Sequence, residues 1–231
     1  MPEILSANPP QLRLRQAGSG AELALDGIRL IIAGYTGRDP AAVAAHLAEL
    51  AAIGVPPPAT VPAFFPLSPA LLTTDPVVEV VGDATSGEAE PVLIQHRGRY
   101  YLGIGSDHTD RELERADIAG SKAACAKPLG AEVIALPADL DTMDWDAIEL
   151  ECTVDDTRYQ RGTLLALRRP GDLLARLAQL VGDDHGDLVV FAGTLPLLDG
   201  KFVCGQRWQL KLTTPDGSSI HHSYEVKRRG A

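Results

Sequence analysis

Glu88 and Glu90 stand two apart in Ser86-Gly87-Glu88-Ala89-Glu90, at the entry to the apolar run Pro91-Val92-Leu93-Ile94. Residues two apart on a strand face the same side, so this pair aims two carboxylates at one point. Asp107 follows the next apolar run, residues 100–105, where a β-hairpin would return it to the same place. Three converging carboxylates repel one another unless a cation lies among them, and hard oxygen donors select Mg²⁺, Mn²⁺ or Ca²⁺ over zinc. As residues alone, the same acids also fit the wet face of a sheet.

His46 and Glu49 are three apart in a helix-like stretch and would share one helical face. A carboxylate bonded to one imidazole nitrogen orients the ring and makes the other nitrogen a better base. An ordinary solvated face would show the same pair. Lys122 is either a further cation or an exposed lysine. Gly193-Thr194, where an apolar run ends, either turns backbone N–H groups toward an anion or is a plain turn. Asp110, Arg111, Glu112 and Glu114 crowd a strand-to-helix junction, where acids also suit a helix N-terminus. His108 is either a partner of the site or a bystander. His221 and His222 alternate along a strand and read as surface.

The elements that must carry these residues are mostly strands. Gln11–Gln16 alternates like an exposed strand, and Ala21–Ile32 reads as strand, Asp26-Gly27 turn, strand, a hairpin. Asp39-Pro40 caps and opens a helix with an apolar stripe of Val43, Leu47, Leu50 and Ile53, stopped by Gly54. The proline-rich segment after it must be irregular or extended. Strands then follow at 77–81, 91–96, 99–105 and 187–192, with a helix at 171–181 and a closing strand pair around Pro215-Asp216-Gly217. The pattern predicts one strand-rich α+β domain with a few helices outside it.

Bulk properties narrow the function further. The 231 residues are 45% apolar and 23% charged, with a formal net charge of −10. That charge argues against a nucleic-acid surface, which needs clustered Lys and Arg, and leaves a small anionic substrate open if local cations offset the field. Cys125, Cys152 and Cys204 form no CxxC pair and suit a reducing cytoplasm as small buried hydrophobes. No signal-peptide pattern and no membrane-spanning apolar run is seen, so a cytoplasmic protein with no membrane partner is expected.

Read in order, six motifs resemble those of the fumarylacetoacetate hydrolase family, which includes acylpyruvate hydrolases and oxaloacetate decarboxylases. They are His46-Leu47-Ala48-Glu49, Phe65-Pro66-Leu67-Ser68-Pro69-Ala70-Leu71, Glu88-Ala89-Glu90, Ser106-Asp107-His108-Thr109-Asp110-Arg111, Ser121-Lys122-Ala123 and Ala192-Gly193-Thr194-Leu195-Pro196. The resemblance implies a mixed β-roll, one domain over 1–231, with an N-terminal hairpin (1–33), a lid helix and proline-rich segment (34–75) and the roll itself (76–231). It implies that Glu88, Glu90 and Asp107 bind Mg²⁺ or Mn²⁺ and that His46 and Glu49 are a catalytic dyad helped by Lys122. It also implies that Arg111, Glu114, Gly193 and Thr194 contact a small anionic 2-oxo acid, and that the protein is a homodimer.

The expected reaction is hydrolysis of a carbon–carbon bond in an acylpyruvate-like acid. Decarboxylation, isomerisation or dehydration at the same site, or binding without catalysis, are the alternatives. The chain departs from the family pattern in several places. It lacks the lysine of the proline-rich motif, where Pro66 and Leu67 stand, and has Glu114 where many members have glutamine. It shortens the Glu90-to-Asp107 interval to a turn at residues 96–99, and it lacks the usual Asn-Tyr before the lid histidine.

Overall fold

The computed structural model describes residues 12–52, 57–181 and 186–229, except for the side chains of His46, Leu50 and Val181. With strands numbered along the chain, the larger sheet runs β2 (Glu22–Leu25), β1 (Leu12–Gln16), β12 (Glu132–Ala135), β9 (Arg99–Ser106), β8 (Ala89–His96), β15 (Leu188–Phe191), β3 (Arg29–Gly34), β4 (Ala63–Leu67). A five-stranded sheet runs β14 (Thr157–Thr163), β13 (Glu149–Val154), β16 (Arg207–Thr213), β17 (Ser219–Arg228), β6 (Val77–Val80). Two short ladders join β7 (Thr85–Ser86) to β10 (Thr109–Asp110) and β5 (Leu72–Thr73) to β11 (Lys127–Pro128). Among the described residues the α-helices are α1 (Pro40–Ala52), α2 (Ile118–Ala123) and α3 (Pro170–Val181).

The larger sheet is strongly curled, and its connectivity requires it. Residues 26–28 alone separate β2 from β3, a reach of about 14 Å at most. Those strands lie six ladder spacings apart, about 29 Å if the sheet were flat. Leu14, Leu23, Leu25, Leu30, Ile32, Val92, Ile94 and Phe191 fill the inside of the curl. Leu93, Leu102 and Ile104 point the other way and pack with Leu150, Trp208, Leu210 and Ile220 of the second sheet. Strand β8 is therefore covered on both faces, which is why it reads as a continuous apolar run rather than an alternating one. Each Leu or Ile so buried contributes about 2 kcal/mol.

The hairpin expected across Asp26-Gly27 does not form. Strand β2 pairs with β1, and β3 pairs with β15 and β4. Asp187 holds the Asp26 corner instead: its carboxylate accepts from the Asp26 N–H at 2.7 Å, and its own N–H donates to the Asp26 carbonyl at 3.1 Å. A turn signal reads only its neighbours, whereas burial of both strands' apolar faces inside the curl decided their partners. Two other turns follow the sequence closely. The β8–β9 hairpin turns through Arg97 (φ 49°) and Gly98 (φ 74°), the double positive φ of a two-residue hairpin. Asp39 caps α1, its carboxylate accepting from the Ala41 N–H at 2.8 Å. Ile53 and Gly54, the expected last stripe residue and stop of that helix, lie outside the described residues.

The proline-rich segment contains the extended β4, and Pro66 is tolerated there because β4 is the outer edge of the sheet. Cys125 and Cys152 are buried as expected, but Cys204 is exposed. His222 is buried rather than on the surface: it stacks on Tyr224, and burial pushes its pKa down to about 4. Among the described residues no helix is long and apolar enough to cross a membrane.

Candidate metal and active site

The register of the β8–β9 hairpin sets the site. Ala89 pairs with Ser106 and Glu90 with Gly105, so the residues just past the ladder, Glu88 and Asp107, face each other. The Asp107 N–H donates to the Glu88 carbonyl at 2.9 Å. Glu90 is 3% exposed and Asp107 1%. Burial first, then Asp107 and Glu88, raise the Glu90 pKa well above the usual carboxylate range. The three acids predicted from the sequence thus lie together at the open end of one hairpin.

Cations answer them from the segment that follows. Asp117 caps α2, its carboxylate accepting from the Gly120 N–H at 2.9 Å. The helix carries Lys122 inward, where its ammonium donates to Asp107 Oδ2. Burial opposes that charge, yet Asp107, Glu88 and Glu90 together hold the Lys122 pKa above its ordinary value. Lys127 is completely buried; its ammonium donates to the His108 carbonyl and lies 3.0 Å from Asp107 Oδ1. The two lysines overcome the burial of Asp107 and keep its carboxyl well below the usual range.

Arg111 is held rather than free to reach outward. Its Nη2 lies 3.1 Å from Glu88 Oε2 and donates to the Ser86 carbonyl at 3.2 Å, while Nη1 donates to Glu114 at 2.9 Å. The Phe202 ring covers the guanidinium at 3.7 Å. Gly193 and Thr194 also face the acids. The Gly193 N–H donates to Glu90 at 2.8 Å, and the Thr194 hydroxyl donates to the Ala89 carbonyl at 2.9 Å. Gly193 has φ +99°, and a Cβ there would stand 1.7 Å from Thr36 Oγ1, so only glycine fits. Buried Gln160 pins this loop to β8, accepting from the Ala89 N–H at 2.9 Å and donating to Thr194 Oγ1 at 2.7 Å and the Leu195 carbonyl at 2.8 Å.

His108 supports the floor from behind. Burial pushes its pKa down to about 3, and its nitrogens bond Tyr224 at 3.1 Å and Thr85 at 3.2 Å. The Tyr224 hydroxyl donates to Ser106 at 2.8 Å. That direction assigns the neutral ring's proton to Nδ1, leaving Nε2 to accept from Thr85. Gly87 makes the close approach possible, since a Cβ there would meet Ser106 Oγ at 2.4 Å and Tyr224 Oη at 2.5 Å.

His46 lies on α1 with its side chain outside the described residues, and Glu49 is exposed on the same helix. The geometry of that dyad lies outside the described residues. Sequence reasoning missed Lys127, Gln160, Tyr224 and Tyr35. Tyr35 is half-buried at φ 56°, within electrostatic reach of Lys122 and Glu114, and burial raises its pKa. A lysine set against proline in Cys125-Ala126-Lys127-Pro128, between apolar stretches, was the available signal for Lys127.

The donor chemistry fits a hard divalent cation. Burial raises Glu90 most, Asp107 and Glu88 add to it, and a cation among these three carboxylates would offset their mutual repulsion. Among the described residues no three such side chains are placed to hold a metal ion as they stand, and lysine ammoniums face both Asp107 oxygens. A cavity of about 720 Å³ lies elsewhere, at the edge of the five-stranded sheet, where Thr85 links it to the site through His108.

This architecture is that of the fumarylacetoacetate hydrolase-like proteins. A 5-carboxymethyl-2-hydroxymuconate delta-isomerase from Mycobacterium smegmatis superposes with a TM-score of 0.60 at 18% identity, over 90% of this chain and 82% of the other. A fumarylpyruvate hydrolase from Pseudomonas aeruginosa, solved with Mn²⁺ and pyruvate, gives 0.62 at 17% identity over 97% and 99%. A Yersinia pestis protein assigned to the fumarylacetoacetate hydrolase family gives 0.61 at 18% identity over 93% and 100%. By its sequence, the chain belongs to the family described as Protein of unknown function (DUF2848), whose model matches residues 33–224. No curated protein matches it.

Proposed function

We propose that this chain is a divalent-metal-dependent enzyme that hydrolyses a carbon–carbon bond in a small, acylpyruvate-like 2-oxo acid. The observation that carries the reading is one buried ammonium, Lys122, whose charge is held by three carboxylates, Asp107, Glu88 and Glu90, at the open end of one hairpin. The manganese and pyruvate of the Pseudomonas aeruginosa structure support the same choice of ligand chemistry. On this reading Glu88, Glu90 and Asp107 hold Mg²⁺ or Mn²⁺. The bound cation supplies Lewis-acid stabilisation of the negative charge that develops on the substrate's 2-oxo oxygen.

The chain's own residues supply the rest. Lys122 adds a fixed positive charge beside that oxygen, in surroundings too buried for water to screen it. Arg111, held by Glu88 and Glu114, orients Glu88. Gly193 orients Glu90 through its N–H. His46, oriented by Glu49, takes a proton from the water that adds to the acyl carbonyl; the carbon–carbon bond then breaks to give a carboxylic acid and a pyruvate-type product. The proposed assembly is a homodimer, which light scattering reads directly.

The test is thermal unfolding with Mn²⁺ or Mg²⁺, with and without oxalate, a planar mimic of the 2-oxo acid. A ligand at about 100 times its dissociation constant adds roughly 2.7 kcal/mol to stability. Metal-dependent stabilisation by oxalate, together with turnover of acylpyruvates into an acid fragment, supports the reading. Full turnover by a Glu88→Ala, Glu90→Ala variant would sink it, and release of CO₂ or an unfragmented product would replace hydrolysis with another reaction.

A further inference from the structure

We infer that the Lys122 ammonium and the divalent cation use one carboxylate oxygen, Asp107 Oδ2, in turn. The ammonium yields that oxygen as the cation binds and moves onto the Phe65 ring, and only then is it free to meet an anionic substrate. This deepens the function proposed above and rests on it. The Lys122 ammonium donates to Asp107 Oδ2, and Glu88 and Glu90 attract it as well. It therefore stands among the three proposed ligands. A cation drawn to the same carboxylates cannot share that position with a second positive charge, because like charges repel strongly where water does not screen them.

The two lysines on Asp107 are not equally able to leave. Lys127 is completely buried on the β5–β11 ladder, donates to the His108 carbonyl and lies 3.0 Å from Asp107 Oδ1. Withdrawing it strips a carbonyl as well as a carboxylate oxygen of a buried partner, and each loss is costly. Lys122 is 7% exposed, and among the described residues its hydrogen bonds go to Asp107 alone. Its departure is expensive only if Asp107 is left unanswered, so it is coupled to the arrival of another positive charge at the same oxygen. Lys127 keeps Oδ1 throughout, and Asp107 offers the cation Oδ2.

A second place for the ammonium is at hand. The Phe65 ring centroid lies 5.8 Å from Lys122 Nζ, at the outer range of cation–π attraction, and the Tyr35 phenol is within electrostatic reach of the same charge. Both rings are only partly buried, whereas Asp107 is 1% exposed. The move therefore carries the charge outward from the floor while keeping it beside the site. Binding is ordered as a result: the anion finds an uncommitted ammonium only after the cation has taken Asp107.

The test maps amine acetylation of the folded wild type by mass spectrometry, with EDTA, with Mn²⁺, and with Mn²⁺ plus oxalate. Losing a charge-assisted hydrogen bond should let Lys122 be labelled about tenfold faster once Mn²⁺ is bound. Oxalate should slow it again, and Lys127 should stay unlabelled in all three conditions. Calorimetric titration of Mn²⁺ adds a second readout. Lys122→Met, which removes the competitor, should bind Mn²⁺ about tenfold more tightly. Phe65→Leu should weaken Mn²⁺ binding about threefold in the wild type and not at all in the Lys122→Met background. Ligand-free melting checks the folding of each variant, and the labelling of the wild type decides if a variant does not fold.

Labelling of Lys122 that Mn²⁺ leaves unchanged overturns the inference, and so does unchanged or weaker Mn²⁺ binding by folded Lys122→Met. An equal effect of Phe65→Leu in both backgrounds overturns the move onto that ring. Each of these results, with Mn²⁺ and oxalate still bound by the wild type, leaves the proposed function intact. Failure of the wild type to bind Mn²⁺ removes both.

Discussion

The floor of the site and the helix proposed to lie over it are built in opposite ways. In the floor, Glu90, Asp107, Lys122 and Lys127 are all buried, and the buried charges are answered by named partners. On α1 none of the described side chains is buried, and only Val43 and Leu47 are half-covered. Moving a floor residue means uncoupling a buried charge, which is expensive; moving the helix disturbs little apolar contact. The machinery that holds charge is fixed by burial, while the proposed acid–base pair rides on a helix whose described side chains are mostly exposed.

This contrast can be broken most forcefully at Lys127. Replacing it with Met leaves Asp107 buried with one cation instead of two, and should destabilise the protein by about 3–5 kcal/mol. Urea denaturation reads this, and an unchanged midpoint would mean that the buried pair does not anchor the floor. Next in size is Gly193→Ala, expected to cost about 3 kcal/mol because its φ is left-handed and its methyl strikes Thr36. Adding Thr36→Ala should recover part of the loss, and no recovery would assign the whole effect to backbone strain.

Smaller again is the effect of His222. Its folded pKa, about 4, lies below the ordinary 6.5, so the unfolded chain takes up a proton that the folded ring refuses. The stability this contributes is present above about pH 6.5 and is lost as pH falls toward 4. A His222→Phe variant also removes a buried Nε2 that has no partner. It should match or exceed the wild type at pH 7 and lose about 2 kcal/mol less by pH 4. Parallel acid limbs for the two proteins would contradict this.

The smallest stability effect belongs to the helix. Glu49→Ala should change the melting free energy by less than about 0.5 kcal/mol. On the proposed function it lowers turnover on the order of a hundredfold. A stability loss as large as that of Lys127→Met would erase the distinction between floor and helix.

Much of this was legible in the sequence because it is local. Two glutamates spaced by two, an apolar run with a tight turn, and an aspartate at the run's far end define where a hairpin's open end collects its acids. Asp39-Pro40 likewise announces a helix start without any tertiary information. What was not legible depends on distant chain. Gln160 pins the Thr194 loop from β14, and Tyr224 reaches His108 from β17; nothing near either residue announces that role. Lys127 was invisible because lysines are nearly always exposed, so a buried one must be seen to be believed. The Asp26-Gly27 hairpin failed for the converse reason. Its local signal was strong, and the closure of the sheet overruled it.

That closure also ties the N-terminal region of the chain to the chemistry. Three residues are all that connect the outermost strand, β2, to β3, and β3 runs directly into Tyr35 and into Thr36, the residue packed against Gly193. The curled sheet therefore behaves like a hoop whose clasp lies beside the site. Amides of β2 and β3 should open to hydrogen exchange as one cooperative unit, and loosening the β1–β2 pair should slacken the loop that holds Glu90.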